Sequence, residues 1–318
     1  MRSLGANVDT VVNEIDLKHD PAGGDAQQRL TRHSAAGEAV LGYVRYQVAA
    51  ISRYDPLVRR DVPDAVHQMR VATRRARSAL QAFGGIIDRD ATRPLCAELK
   101  WVAAELGQAR DTEVMCARLT ADLDAISPAL VVGPVEARIT NHFSTGLAAA
   151  RQAVLRALDG QRYLRLRNDL NALLDDPPLT PAARRRADKA LAKPVRQAGR
   201  RLQRALAAVP GAEDRDTAIH QARKAAKRAR YSAEAAAPAL GDTVSGQATR
   251  AKELQQLLGD HHDSVVARQV LLELAQRARA AGEDTFTYGL MHQRQACQAA
   301  AIEQAALNVA PVSPSGPD

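Results

Sequence analysis

The residues of this chain best suited to chemistry are cations set three and four positions apart. In the stretch His67-Gln-Met-Arg-Val-Ala-Thr-Arg-Arg-Ala-Arg77, His67, Arg70, Arg74 and Arg77 fall within roughly 80° of one another on an α-helix turning about 100° per residue. The stretch His220-Gln-Ala-Arg-Lys-Ala-Ala-Lys-Arg-Ala-Arg230 aligns on it without a gap, with seven of eleven positions identical. It repeats the stripe as His220, Arg223, Lys227 and Arg230, and Arg75, Lys224 and Arg228 stand on the flanks. Like charges at this spacing repel and cost helix stability, so folding alone does not favour them. An anion does. Arg offers phosphate a planar fork of donors, Lys a point charge, and His a donor, or a full charge once phosphate raises its pKa. For one such helix a solvated basic face neutralised by neighbouring acids is the ordinary explanation, and a lone His near a helix start is usually a packing or capping residue. The recurrence of the whole stripe favours a binding role.

A second motif follows each stripe. Lys100 … Leu106-Gly107-Gln-Ala-Arg-Asp111 aligns on Lys252 … Leu258-Gly259-Asp-His-His-Asp263, and the separations from His67 to Gly107 and from His220 to Gly259 are 40 and 39 residues. Two motifs in the same order at nearly the same interval imply an internal duplication with a period of about 152 residues. The elements that must position them are helices: β-branched alternation is rare, and long stretches consist of Ala, Leu, Arg, Gln and Glu. Breakers at Pro63, Gly84-Gly85, Pro128, Gly133-Pro134, Pro177-Pro178, Pro210-Gly211, Pro238 and Gly241 divide the chain. Helices are expected over about 26–54, 63–87, 92–124, 132–159, 161–175, 181–209, 214–237, 243–280 and 283–308. Val66, Met69, Ala76, Leu80 and Phe83 lie opposite the first stripe and should face the core. The expected fold is all-α: two four-helix bundles, about 26–175 and 181–308, related by pseudo-two-fold symmetry. Residues 1–24 and 309–318 read as disordered segments.

Composition agrees with an anionic partner. The 318 residues carry 44 basic and 36 acidic side chains, a net charge of +8. Such a positive field attracts polyanions. Only seven of the basic residues are Lys, although base composition of the genome can produce that bias by itself. Cys96, Cys116 and Cys297 are odd in number and widely spaced, which suits neither a disulfide framework nor a CxxC site. No apolar run has the length of a signal peptide or a membrane span, so a cytoplasmic location without membrane contact is expected.

The pattern His-x-x-Arg-x-x-x-Arg-Arg-x-Arg followed by Lys … Leu-Gly-x-x-x-Asp, present twice, resembles the CHAD family, the conserved-histidine α-helical domain, over about residues 25–308. Lys227-Arg-Ala-Arg-Tyr231 with Glu234 is similar to that family's Lys-Arg-Leu-Arg-Tyr … Glu stretch, with Ala76 and Ala229 where Leu is usual. The resemblance implies helical bundles around a basic groove or pore that binds inorganic polyphosphate without turnover, often on polyphosphate granules. Carried onto this chain, it implies a lining of His67, Arg70, Arg74, Arg77, Lys100, His220, Arg223, Lys227, Arg230 and Lys252, beside the flanking Arg75, Lys224 and Arg228. No cofactor and no metal are implied.

Two other functions fit some of the same residues. His262-Asp263, with His220 upstream and Asp284 downstream, could belong to an HD-type metal-dependent phosphohydrolase, but the aligned pair in the first copy is Arg110-Asp111, which lacks a ligand. Asp111 and Asp263 are expected to cap helices or to hold stripe side chains. Weak nucleic-acid binding is expected of any basic surface. Yet Trp101, six Tyr and three Phe offer few stacking partners, and only Gln68 and Gln221 stand near the stripes as base readers. Walker, dinucleotide and His-Glu-x-x-His motifs are missing. CHAD domains often follow a triphosphate-tunnel domain with a Glu-x-Glu-x-Lys strand, of which Glu14-Ile-Asp-Leu-Lys18 is a faint echo. The residues before the first helix are too few for a tunnel, so the chain reads as a stand-alone domain or part of a longer protein.

Overall fold

A computed structural model describes residues 30–309, which are all-α, with no β-strand among them. The helices are α1 (Ala36–Arg59), α2 (Ala65–Ala82), α3 (Arg89–Asp124), α4 (Val135–Asp159), α5 (Gln161–Asp175), the single turn α6 (Ala187–Ala190), α7 (Ala192–Ala207), α8 (Arg215–Leu240), α9 (Asp242–Ala280) and α10 (Phe286–Asn308). Short 3-10 turns at Pro128–Leu130 and Pro181–Arg184 punctuate the loops. Two helices near the stripes start on side-chain caps. The Asp88 carboxylate accepts from the Asp90 and Ala91 amides at the head of α3, and Asp214 accepts from the Thr217 amide at the head of α8. Each cap satisfies amides that have no partner inside their helix.

Consecutive helices α1, α2 and α3 pack as neighbours, and so do α7, α8, α9 and α10. The two groups meet where α8 packs on both α1 and α2, which brings the two stripe-bearing helices together. Apolar cores hold this arrangement. Leu202, Ile219, Ala222, Ala226, Leu254 and Leu258 close the contact of α7, α8 and α9. A separate core joins the far halves of α3 and α4 to those of α9 and α10 through Leu119, Ile139, Leu271, Tyr288 and Met291. The long helices α3 and α9 therefore leave the stripe region and share apolar contact between the two groups of helices. Burial of large side chains at about 1.5–3 kcal/mol each makes such contact, rather than helix propensity, the main support of these helices.

Several boundaries differ from expectation for physical reasons. α1 starts at Ala36, since residues 31–35 form a turn and a backbone bridge from Ala35 to Arg186; residues 26–29 lie outside the described residues. α8 runs through Pro238 and stops at Gly241, whose φ of 81° ends the helix. Ala235, Ala236 and Ala239 are buried around that proline, and their packing outweighs one missing hydrogen bond. The helix expected over 181–209 is divided into a 3-10 turn, α6 and α7. α3 and α9 continue unbroken through Gly107 and Gly259, so Asp111 and Asp263 stand in mid-helix and cap nothing. Met69, Ala76, Leu80 and Phe83 are fully buried as expected, whereas Val66 is only half-buried. The segments 1–24 and 310–318 lie outside the described residues; Val309 ends α10.

Candidate functional site

The stripes meet. Arg74, Arg223 and Arg70 all lie near enough to Lys227 to depress its pKa, and Arg74 and Arg70 act on Arg223 in the same way. Arg70 and Arg223 each lie over the glycine of the motif that follows their own stripe. Arg70 donates from both terminal nitrogens to Asp111, at 2.9 Å and 3.3 Å. Its guanidinium rests on α3 at Gly107, where a Cβ would stand only 3.2 Å from Nη2. The Leu-Gly-x-x-x-Asp motif is thereby explained: the glycine makes room for the fork and the aspartate one turn later holds it. Arg223 lies over Gly259 with more space, 3.7 Å from the same construction, and feels the charge of Asp263. Ala at a helix position is worth about 0.5–1 kcal/mol more than Gly. Gly259→Ala should gain that stability in chemical denaturation, while Gly107→Ala gains less because Arg70 must shift, and it alone should weaken anion binding several-fold.

Burial and mutual repulsion leave this cluster short of negative charge. Lys227 is pushed down to about 6, first by burial and then by Arg74, Arg223 and Arg70, with Asp111 opposing. Burial likewise lowers Arg223, where Asp263 opposes, and Arg77, where Arg74 adds repulsion. His67, His220 and His262 are all lowered, by burial first; Asp64 opposes it at His67, Lys224 reinforces it at His220 and Arg223 at His262. Four buried nitrogens of the stripes, Arg70 Nε, Arg77 Nε, Arg223 Nε and His220 Nδ1, have no hydrogen-bond partner among the described residues. A buried polar nitrogen without a partner is costly, so each of these calls for a water, an ion or a ligand oxygen. Tyr231 lies against Arg74 and Arg230, its ring centroid 5.9 Å and 5.5 Å from their Cζ atoms.

Not every expected residue faces this cluster. Arg75 and Arg230 donate to opposite oxygens of Glu234, at 3.1 Å and 2.5 Å, and are only 15% and 13% exposed. The Tyr43 hydroxyl donates to the same carboxylate at 3.4 Å. These two arginines thus form a clamp between α2 and α8. Arg77 has no acidic partner among the described residues and feels Arg74 and Arg228. Lys224, Arg228, Lys100 and Lys252 are exposed. Lys100 and Lys252 each precede the glycine by seven residues, two helical turns on the same face and about 10 Å along the axis. The clamp was legible only as a matching Glu234, and Tyr43 carried no sequence signal.

His262 also emerges here. Its ring lies 4.9 Å from that of His220, centroid to centroid, and Arg223 and Lys227 act on it. Cations on that side repel a divalent metal, so this donor set does not fit an HD-type centre. No group of three or more His, Cys, Asp or Glu is placed to hold a metal among the described residues.

With this geometry in view, the comparisons with known proteins are specific. The family model for the CHAD domain matches residues 42–272. Uncharacterised proteins from two strains of Mycobacterium tuberculosis are 41% identical over 268 residues, 80% of this chain. The chain spans about half the length of these relatives, 48%. Among solved structures, PptA from Streptomyces chartreusis superposes with a TM-score of 0.75 at 26% identity, covering 87% of this chain and 99% of its own. The crystal structure of the CHAD domain from the plant Ricinus communis gives 0.66 at 26% identity, covering 87% and 93%. The match of family model, fold and twofold Arg/His motif places this chain in the CHAD domain family.

Proposed function

We propose that the protein binds inorganic polyphosphate, without turnover, along the two converging stripes. One observation carries the reading: Arg70 and Arg74 of α2 lie within reach of Arg223 and Lys227 of α8, and burial first, then the charges of Arg74, Arg223 and Arg70, push Lys227 down to about 6. A chain of phosphates supplies the missing charge. It has neither bases nor sugars, so it needs only spaced cations, and the scarcity of aromatics at the site is no handicap. His67, His220 and His262 add donors at one end of the cluster, and Lys100, Lys252, Lys224 and Arg228 add exposed charge around it. In this reading the two motif copies are halves of a pseudo-symmetric pair that grips one continuous ligand, in the cytoplasm and on polyphosphate granules. No helix among the described residues is long and apolar enough to cross a membrane.

The test is competition at near-physiological salt, with phosphate release followed in parallel in the presence of Mg²⁺ or Mn²⁺. Long-chain polyphosphate should bind, resist displacement by single-stranded oligonucleotide at matched phosphate concentration, and yield no orthophosphate. Displacement would make the protein a general nucleic-acid binder, and steady release would make it a hydrolase.

A further inference from the structure

The two flanks of the stripes are unequal. On one, Glu234 neutralises Arg75 and Arg230 and ties them to Tyr43 of α1. On the other, Gln81 follows Arg77 by four residues, just as Glu234 follows Arg230, and no carboxylate pairs with Arg77 or Arg228 among the described residues. A cavity of about 480 Å³ opens there between the end of α2, the start of α3 and α7, with Gln81, Arg89, Arg201 and Arg228 in its wall. Arg89, Arg201 and Arg228 are exposed and take part in no ion pair among the described residues.

α7 extends the same charge outward. It carries Lys193, Arg196, Arg200, Arg201 and Arg204 and no acidic residue, whereas α1, which precedes the other stripe helix, contains Glu38 and Asp55. Val195, Gly199 and Leu202 are its buried face, so Arg200, Arg201 and Arg204 stay in solvent. Like charges at this spacing cost helix stability here as they do in the stripes.

We propose that the polyphosphate track is one-sided: it leaves the stripes on the Gln81 flank, fills the cavity beside Arg77 and Arg228, and continues over the exposed arginines of α7. This deepens the proposed function and rests on it. The Glu234 carboxylate shuts the opposite flank to phosphate by occupying its arginines. Chains that only span the stripes use four central cations, while longer chains gain the α7 contacts at high effective concentration.

Two variants test it without touching the central cluster. Gln81→Glu gives the open flank the carboxylate that the closed one has, and Arg200→Gln with Arg201→Gln and Arg204→Gln discharges α7 while keeping good helix formers. Affinity is measured for tripolyphosphate and for long-chain polyphosphate across a salt series, with circular dichroism to verify folding. Both variants should bind the long chain about tenfold more weakly and lower its salt slope by roughly one for every phosphate no longer neutralised, while tripolyphosphate affinity stays unchanged. Folded variants with unaltered long-chain affinity and slope would overturn the one-sided track. So would a second, independent tripolyphosphate site that disappears in Gln81→Glu, because the cavity would then hold a separate phosphate ligand. A native protein with no affinity for polyphosphate of any length would instead refute the proposed function itself.

Discussion

Replacing Arg70 and Arg74 together with Gln, or Arg223 and Lys227 together with Gln, is expected to weaken long-chain polyphosphate binding by at least about 100-fold in either case, since each hydrogen bond to a charged group contributes roughly 1.5–3 kcal/mol. Either pair should cost more than half of the total binding free energy. The two stripes act on one ligand, and the second grip is made at the high effective concentration set by the first. Arg75 and Arg230 behave differently. Because Glu234 holds both, Arg75→Gln or Arg230→Gln should lower thermal stability by loosening the contact of α2 with α8, with a smaller effect on affinity. Either change leaves the largely buried Glu234 carboxylate with one arginine instead of two. Salt titration and thermal denaturation on the same four proteins separate these outcomes. Unchanged affinity in both folded stripe pairs would show that the stripes are ordinary solvated faces.

The second large effect is a proton taken up on binding. Lys227 lies at about 6 in the anion-free protein against 10.5 for an unperturbed lysine. At pH 7.5 it is mostly neutral. Phosphates alongside restore its charge, so binding at that pH should absorb close to one proton at Lys227. Calorimetry in two buffers of different ionisation enthalpy reads this directly, and Lys227→Arg, charged at every relevant pH, should lower the uptake by about one proton, leaving only what His67, His220 and His262 take up beside phosphate. Stability follows the same linkage. Between about pH 6 and 10.5 the unfolded chain holds this proton and the folded chain does not, so the Lys227 contribution to anion-free stability rises with pH across that window and levels off below it. Lys227→Met should therefore stabilise the anion-free protein at neutral pH, raising the melting temperature by about 2–4 °C for each kcal/mol of relieved strain, while impairing polyphosphate binding. A destabilised Lys227→Met protein together with no proton uptake would mean that the lysine is satisfied within the fold.

Helix type and the identity of the cations were legible in the chain itself, because both are local properties. Ala and Leu content with almost no strand pattern required helices, and a 3–4 spacing of His, Arg and Lys puts a stripe on one face whatever the helix packs against. The repetition of that stripe with a Leu-Gly-x-x-x-Asp motif was equally visible. Proline positions misled where burial outweighed a single missing hydrogen bond, as at Pro238. Which cations would remain available was not local. Arg75 and Arg77 are two residues apart in sequence, yet Arg75 finds Glu234 some 159 positions away and Arg77 finds no acid among the described residues. Asp111 clasps Arg70 only because α2 and α3 run back against each other. The depressed Lys227 exists only because the packing of α8 on α2 buries it and sets two like-charged faces within reach. Charge type is written in the residue, whereas its partner, solvation and proton affinity depend on through-space distances that only the packed helices determine.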